Sequence, residues 1–241
     1  MPKRLVIDLL RHGACSDGKI YRGRTDSALS ELGWAQVQAQ IQQQVSAGNE
    51  PPWQAIYSST LQRCQLPAQQ LAERLELPLR LDPRLREIDF GDWDGQLQQQ
   101  VWQQYPAQVL AFWQNPETAP PPAGESIQDF QRRIVELLQQ WLLDGSSQVE
   151  QAIQVGELMP ADTPAVVDAG EEIPCARLLC VTHAGVIRAL LCQLLGLSTV
   201  AAQRMSIDYG SLTRIELYPD DRDVASIEKL NSQVVFVNRV C

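Results

Sequence analysis

Apolar and polar positions along this 241-residue chain fall in blocks that predict strands and helices in turn. The run from Leu5 to Leu10 is short and almost wholly apolar, and it ends in Arg11-His12-Gly13. Such a run suits a buried strand that delivers polar groups at its carboxyl end. Ser30 stands as an N-cap ahead of Leu32, Val37 and Ile41, which are spaced for one helix face. A second strand ends at Tyr57-Ser58-Ser59, and a helix follows from about Thr60 to Glu76, closed by Pro78. Further on, Ile127, Phe130, Ile134, Leu137, Leu138 and Trp141 form a helical stripe, with Ser126 and Asp129 placed as a capping box. Leu178 to Thr182 reads as another buried strand, and His183-Ala184-Gly185 opens a helix that runs through Leu195. Two late β-rich runs, Leu212 to Tyr218 and Ala225 to Leu230, predict a hairpin at a sheet edge. This alternation predicts an α/β fold: a three-layer sandwich with a mostly parallel central sheet and helices on both faces. Ligands in such sheets sit beyond the carboxyl ends of the strands.

Two segments depart from that rhythm. Residues 96–123 are Gln-rich, with Trp102, Tyr105, Phe112 and Trp113 spaced as on one helix face; they read equally as a cap over a pocket and as a packed excursion helix. Residues 144–176 carry Asp144, Glu150, Glu157, Asp162, Asp168, Glu171 and Glu172 with no Lys or Arg, interrupted by Pro160, Pro164 and Pro174. That composition suits a solvated surface insertion. The remainder is expected to form a single domain over residues 1–241.

The formal net charge is -9, of which the insertion supplies seven negative charges and the rest of the chain -2. A general nucleic-acid or anionic-membrane binder needs clustered Lys and Arg, so neither partner is expected; a small phosphorylated metabolite in a local basic pocket is compatible with the balance. The six Cys show no C-x-x-C spacing and are expected as reduced thiols. The opening run is too short for a signal peptide and no segment reaches membrane-spanning length, so a cytoplasmic location is expected. Oligomeric state is not legible, a dimer being the one assembly considered.

Both His of the chain follow an apolar strand and precede a Gly: Arg11-His12-Gly13 and Thr182-His183-Ala184-Gly185. A lone His in an apolar run is as often a satisfied core residue. Two parallel strands ending this way would instead put both rings on one rim, where glycines let backbone amides approach an anion. Arg11 lies beside His12, and Arg63 falls on the first turn of a helix after a strand. Guanidinium forks match phosphate oxygens, so two Arg beside two His make a sensible phosphoryl pocket. Glu87, in Leu85-Arg86-Glu87-Ile88-Asp89-Phe90-Gly91-Asp92-Trp93-Asp94-Gly95, is a candidate proton donor. Asp89, Asp92 and Asp94 compete for that role on composition alone. A metal hydrolase is poorly supported, since the two His are far apart and no ligand cluster accompanies them.

In order, Arg11-His12-Gly13, Ser58-Ser59-x-Leu61-x-Arg63, Glu87 before Phe90-Gly91-Asp92-Trp93, Gly124-Glu125-Ser126 and Thr182-His183-Ala184-Gly185-Val186 resemble the signature blocks of the histidine phosphatase superfamily, which includes the phosphoglycerate mutases. The resemblance implies a phosphoglycerate mutase-like fold and a phosphatase that needs no metal or organic cofactor. It implies His12 as nucleophile, Arg11, Arg63 and His183 as the phosphate clamp, and Glu87 as proton donor; in the mechanism expected from this set, a protonated His183 helps hold the equatorial oxygens of the bound phosphate. Gly185 and Arg24 join the substrate-binding set. Tyr21 to Ser30, the short Leu85 to Gly95 block and Thr182 to Arg188 are most similar to the α-ribazole phosphatase branch of cobalamin biosynthesis. Ala14 and Cys15 stand where Glu and Thr usually follow Arg-His-Gly, and Gly18 where many members carry an Asn that helps hold phosphate. A broad-specificity phosphatase, a mutase-type phosphotransferase and a non-catalytic binder of phosphorylated ligands are the alternatives.

Overall fold

The computed structural model describes residues 4–45, 51–155, 175–219 and 230–241, the side chains of 144–155 excepted. Six strands form one sheet in the order β3-β2-β4-β1-β5-β6: β1 (Arg4–Arg11), β2 (Ala55–Ser58), β3 (Leu79–Leu81), β4 (Cys175–Thr182), β5 (Leu212–Tyr218) and β6 (Asn231–Arg239). The first four are mutually parallel, while β5 runs antiparallel to β1, and β6 to β5. The sheet is therefore mixed, with its antiparallel pair at one edge. The edge strand starts at Asn231, later than the run that predicted it; residues 225–229 of that run lie outside the described residues.

Helices cover both faces. One face packs α5 (Ile127–Val155) and α6 (Ala184–Leu195) over Leu5, Ile7 and Leu9 of β1. The other packs α1 (Glu31–Gln44) and α2 (Gln62–Leu75) over Leu10, Ile56, Leu179 and Val181. Period-2 alternation in β1 sends odd positions to one layer and Leu10 to the other, which is why the strand between Arg4 and Arg11 is apolar apart from Asp8. Ser30 accepts the Gly33 N–H at 3.1 Å and starts α1 as expected. Val37 and Ile41 are buried, but Leu32 lies at 63% exposure, so the apolar face of α1 is narrower than its spacing suggested. Ser126 accepts the Asp129 N–H at 3.0 Å and starts α5, and the whole Ile127-to-Trp141 stripe is buried.

Residues 96–123 form two helices rather than one. Helix α3 (Gln98–Gln104) stops at Tyr105 and α4 (Pro106–Gln114) restarts with Pro106, whose missing N–H fits the first turn. Phe112 is buried with Tyr21, Trp93, Val101 and Val109, whereas Trp102, Tyr105 and Trp113 stay exposed. The ends of the acidic segment are regular structure, since α5 continues to Val155 and β4 begins at Cys175; residues 156–174 lie outside the described residues. Helix α7 (Thr199–Gln203) closes the described helices. No helix among the described residues is long and apolar enough to cross a membrane.

Candidate active site

Parallel pairing of β1 with β4 in the register Arg11↔Thr182 brings the two His together, because each follows its strand by one residue. The His12 N–H donates to Thr182 O at 2.9 Å, and the ring centroids of His12 and His183 stand 5.1 Å apart, nearly edge to face. Both rings are buried. His12 Nδ1 lies 2.8 Å from Gly13 O. A carbonyl only accepts, so Nδ1 carries the proton and Nε2 presents a lone pair. Gly13 is required by a close approach: a Cβ there would overlap the backbone of Gly33 in α1.

His183 is held differently. Arg63 Nε donates to its Nδ1 at 3.3 Å, so the ring proton sits on Nε2, which donates to Ser59 Oγ at 2.9 Å. Burial, then the charges of Arg63, His12 and Arg11, hold His183 well below the usual imidazole range; burial, Arg63 and Arg11 do the same to His12. Desolvation and two guanidiniums disfavour a further cation until a ligand brings negative charge.

Arg63 is fully buried on the first turn of α2. It donates to Thr25 O at 2.7 Å, Gly23 O at 2.9 Å and Arg22 O at 3.2 Å. With the bond to His183 this uses four of its five N–H groups. Arg11 stacks its guanidinium 3.8 Å over the Tyr209 ring and donates to Ile207 O, while its Nε is buried with no acceptor. That buried N–H calls for an acceptor the protein itself does not supply.

Glu87 emerges from the competing carboxylates. Its Oε2 accepts the Gly185 N–H at 3.0 Å, and a Cβ on Gly185 would overlap its Oε1. Arg133, clamped on Glu125 at 2.7 Å, donates to Arg86 O at 2.8 Å and Glu87 O at 3.1 Å, fixing the backbone that carries it. Asp94 instead accepts the N–H groups of Gly23, Arg24 and Thr25 at 3.0, 2.8 and 2.8 Å, pinning the loop on which Arg63 rests. Asp89 accepts the Gly91 N–H at 2.8 Å, and Asp92 is exposed.

Arg24 is not gathered into this cluster. Its side chain is 69% exposed and its ion-pair partner is Asp89 at 3.4 Å. The neighbouring Arg22 is buried instead: it donates to Ser27 Oγ at 3.0 Å, Gly18 O at 2.7 Å and Tyr209 OH at 3.4 Å, pairs with Asp17, and its charge reaches His12. Sequence reasoning missed Arg22, Ser59 and Tyr209. Arg22 and Ser59 lay inside motif blocks, but the signal that separates a buried Arg from an exposed one two residues away is tertiary. Cys15 Sγ lies 3.9 Å from His12 Nδ1 and Cys64 Sγ 3.6 Å from His183 Nε2, with burial pushing both thiols up. Among the described residues no three His, Cys, Asp or Glu side chains gather as a metal site.

The model of the histidine phosphatase superfamily, branch 1, matches residues 7–152 and 163–230; the chain belongs to that family. Among relatives, the glucosyl-3-phosphoglycerate phosphatase of Mycobacterium tuberculosis is 34% identical over 197 residues, 81% of this chain and 76% of that protein. The solved mycobacterial glucosyl-3-phosphoglycerate phosphatase superposes with a TM-score of 0.75 at 28% identity, covering 99% of this chain and 100% of the other. That enzyme has also been solved with inorganic phosphate. The α-ribazole phosphatase of Shigella flexneri shares the fold with a TM-score of 0.65 at 19% identity, covering 97% of this chain and 96% of the other.

Proposed function

We propose that the chain is a phosphomonoesterase that works through a phosphohistidine on His12. The observation that carries this reading is the buried convergence of His12, His183, Arg11 and Arg63 on one spot, with a lone pair on His12 Nε2 and an unmet donor on Arg11. His12 Nε2 attacks phosphorus as the bond to the leaving oxygen breaks, and Glu87 gives that oxygen its proton. Water then attacks the phosphorus, the P–N bond breaks, Glu87 takes the water's proton, and inorganic phosphate leaves. Arg11, Arg63 and Arg22 offset the charge on the phosphoryl oxygens throughout, the main requirement of phosphoryl transfer. His183 enters neutral, and the charge of the bound phosphate favours its taking a proton from solvent at Nδ1, with the Arg63 bond there giving way. Residues 96–123 serve as the cap that meets the leaving group.

The substrate is a small phosphorylated metabolite. Likeness to glucosyl-3-phosphoglycerate phosphatases over most of the chain supports a phosphoglycerate-derived ester. The aromatic side chains of α4 beside Glu87 support an ester with a ring in its leaving group, as in α-ribazole 5′-phosphate. Rapid acid or base quench of turning-over enzyme tests the chemistry. Acid-labile, base-stable phosphate should appear on the chain and vanish in His12→Ala together with phosphate release; release that survives His12→Ala refutes covalent catalysis. A panel of glucosyl-3-phosphoglycerate, α-ribazole 5′-phosphate and 3-phosphoglycerate, scored for inorganic phosphate against isomerised product, separates the finer readings from a mutase.

A further inference from the structure

Beyond the spot for phosphate, a cleft of about 110 Å³ opens beside Glu87 and Gly185. Phe112 and Trp113 of α4, Phe130 of α5, Ala189 and Cys192 of α6, and Ala202 of α7 are among the residues that line it. Glu87, which carries the proton for the leaving oxygen in the mechanism above, stands at the boundary between the cleft and the phosphate spot.

Several of the polar side chains that reach this cleft already have partners within the protein, though Arg188 keeps N–H groups to spare. Gln131 donates to Thr199 Oγ1 at 3.3 Å, and Arg188 gives both Nε and Nη2 to Met205 O at 3.1 and 2.9 Å. Cys192 Sγ faces Ser198 O at 3.8 Å, and the two oxygens of Glu87 accept the N–H groups of Ile88 and Gly185. A hydroxyl-rich arm entering here would give up water for few new partners, each unmet group costing on the order of 1–3 kcal/mol. An apolar ring would give up nothing. Size agrees, because an enclosed apolar cavity of ~150 Å³ holds benzene and this cleft, open on one side, is of the same order.

We propose that this cleft is the leaving-group pocket and that it selects phosphomonoesters whose alcohol ends in one apolar or aromatic ring a few bonds from the ester oxygen. The proposal rests on the phosphatase reading with Glu87 as proton donor. Trp113 and Phe112 then close the ring's outer face, and Ala189, Cys192 and Ala202 are small because larger side chains would fill the space the ring takes.

The test compares 3-phenylpropyl phosphate with n-propyl phosphate. Their alcohols are alike in basicity, so the difference in kcat/KM reports ring binding rather than chemistry. The ring ester should be favoured about 10- to 100-fold, and Ala189→Phe should bring the ratio close to one. Cys192→Met serves the same purpose if Ala189→Phe melts early. Calorimetry with 3-phenylpropylphosphonate and propylphosphonate measures the same preference without turnover. A ratio near one in the wild-type chain, or a preference that survives both substitutions, overturns the pocket while leaving phosphate release intact. Absence of hydrolysis of both esters while the panel above still releases inorganic phosphate would overturn the pocket; no release from any ester would instead refute the phosphatase reading, and the phosphonate pair would then decide by itself whether the cleft takes a ring.

Discussion

Replacing Gly185 by Ala should disable the proton donor without loosening the fold. A Cβ built there overlaps Glu87 Oε1 and comes within 2.9 Å of Glu87 Cδ, where non-bonded carbons prefer about 3.5–4.0 Å. The carboxyl must therefore withdraw by roughly 1 Å, a displacement that costs about 10²-fold in rate when the displaced group acts in the transition state. The expected loss is about 10²-fold in kcat/KM for an alkyl phosphate, equivalent to ~2.7 kcal/mol of transition-state stabilisation. With p-nitrophenyl phosphate, whose leaving group needs little proton assistance, the loss should be much smaller. Helix propensity favours Ala over Gly by up to about 1 kcal/mol, and Gly185 lies in the first turn of α6. The melting temperature should accordingly hold or rise slightly. Steady-state assays on both substrates, with thermal melts, check the pair of outcomes. Equal losses on both substrates, or a second full loss when Gly185→Ala is added to Glu87→Gln, would refute the reasoning, since two routes to one missing group cannot add.

Acid stability follows from the two buried rings. His12 and His183 are held neutral by burial and by neighbouring Arg, whereas the unfolded chain protonates both near pH ~6.5. Below that value the unfolded state binds protons the native state refuses, so stability is full above pH ~6.5 and falls as acidity rises. Urea melts between pH 8 and 5 should show that decline, reduced in His183→Gln; a slope indifferent to the substitution would contradict the burial argument. Midway along β1, Asp8→Asn should cost about 3–5 kcal/mol in urea unfolding. Asp8 is wholly buried and answers Arg177 at 2.8 Å, Arg214 at 2.7 Å and the Trp53 indole at 2.8 Å; a loss below about 1 kcal/mol would show that the two guanidiniums find water instead.

Local pattern was enough wherever a signal and its structural consequence lie within a few residues. Ser30 and Ser126 start helices because the N–H they cap is three residues on. The stripe from Ile127 to Trp141 is buried because period 3.6 aligns it on one face. Arg-His-Gly at one strand end and Thr-His-Ala-Gly at another forecast two rings on one rim, since parallel strands in register must deliver their carboxyl ends together. Tertiary structure decided what depends on partners remote in the chain. Asp8 sits unremarked in an apolar run until strands 169 and 206 residues away bring Arg177 and Arg214 to it. Leu32 has helical spacing but no opposing surface. Arg22 is buried and Arg24 exposed because Asp17, Ser27 and Tyr209 surround only the first. The basicity of His183 belongs to the same class, as burial and then Arg63 lower it. Sequence thus determined the elements and the residue types of the site, whose causes are covalent and short-range. Charge state, pairing and the shape of the cleft were set by desolvation and by contacts that exist only once distant segments are packed.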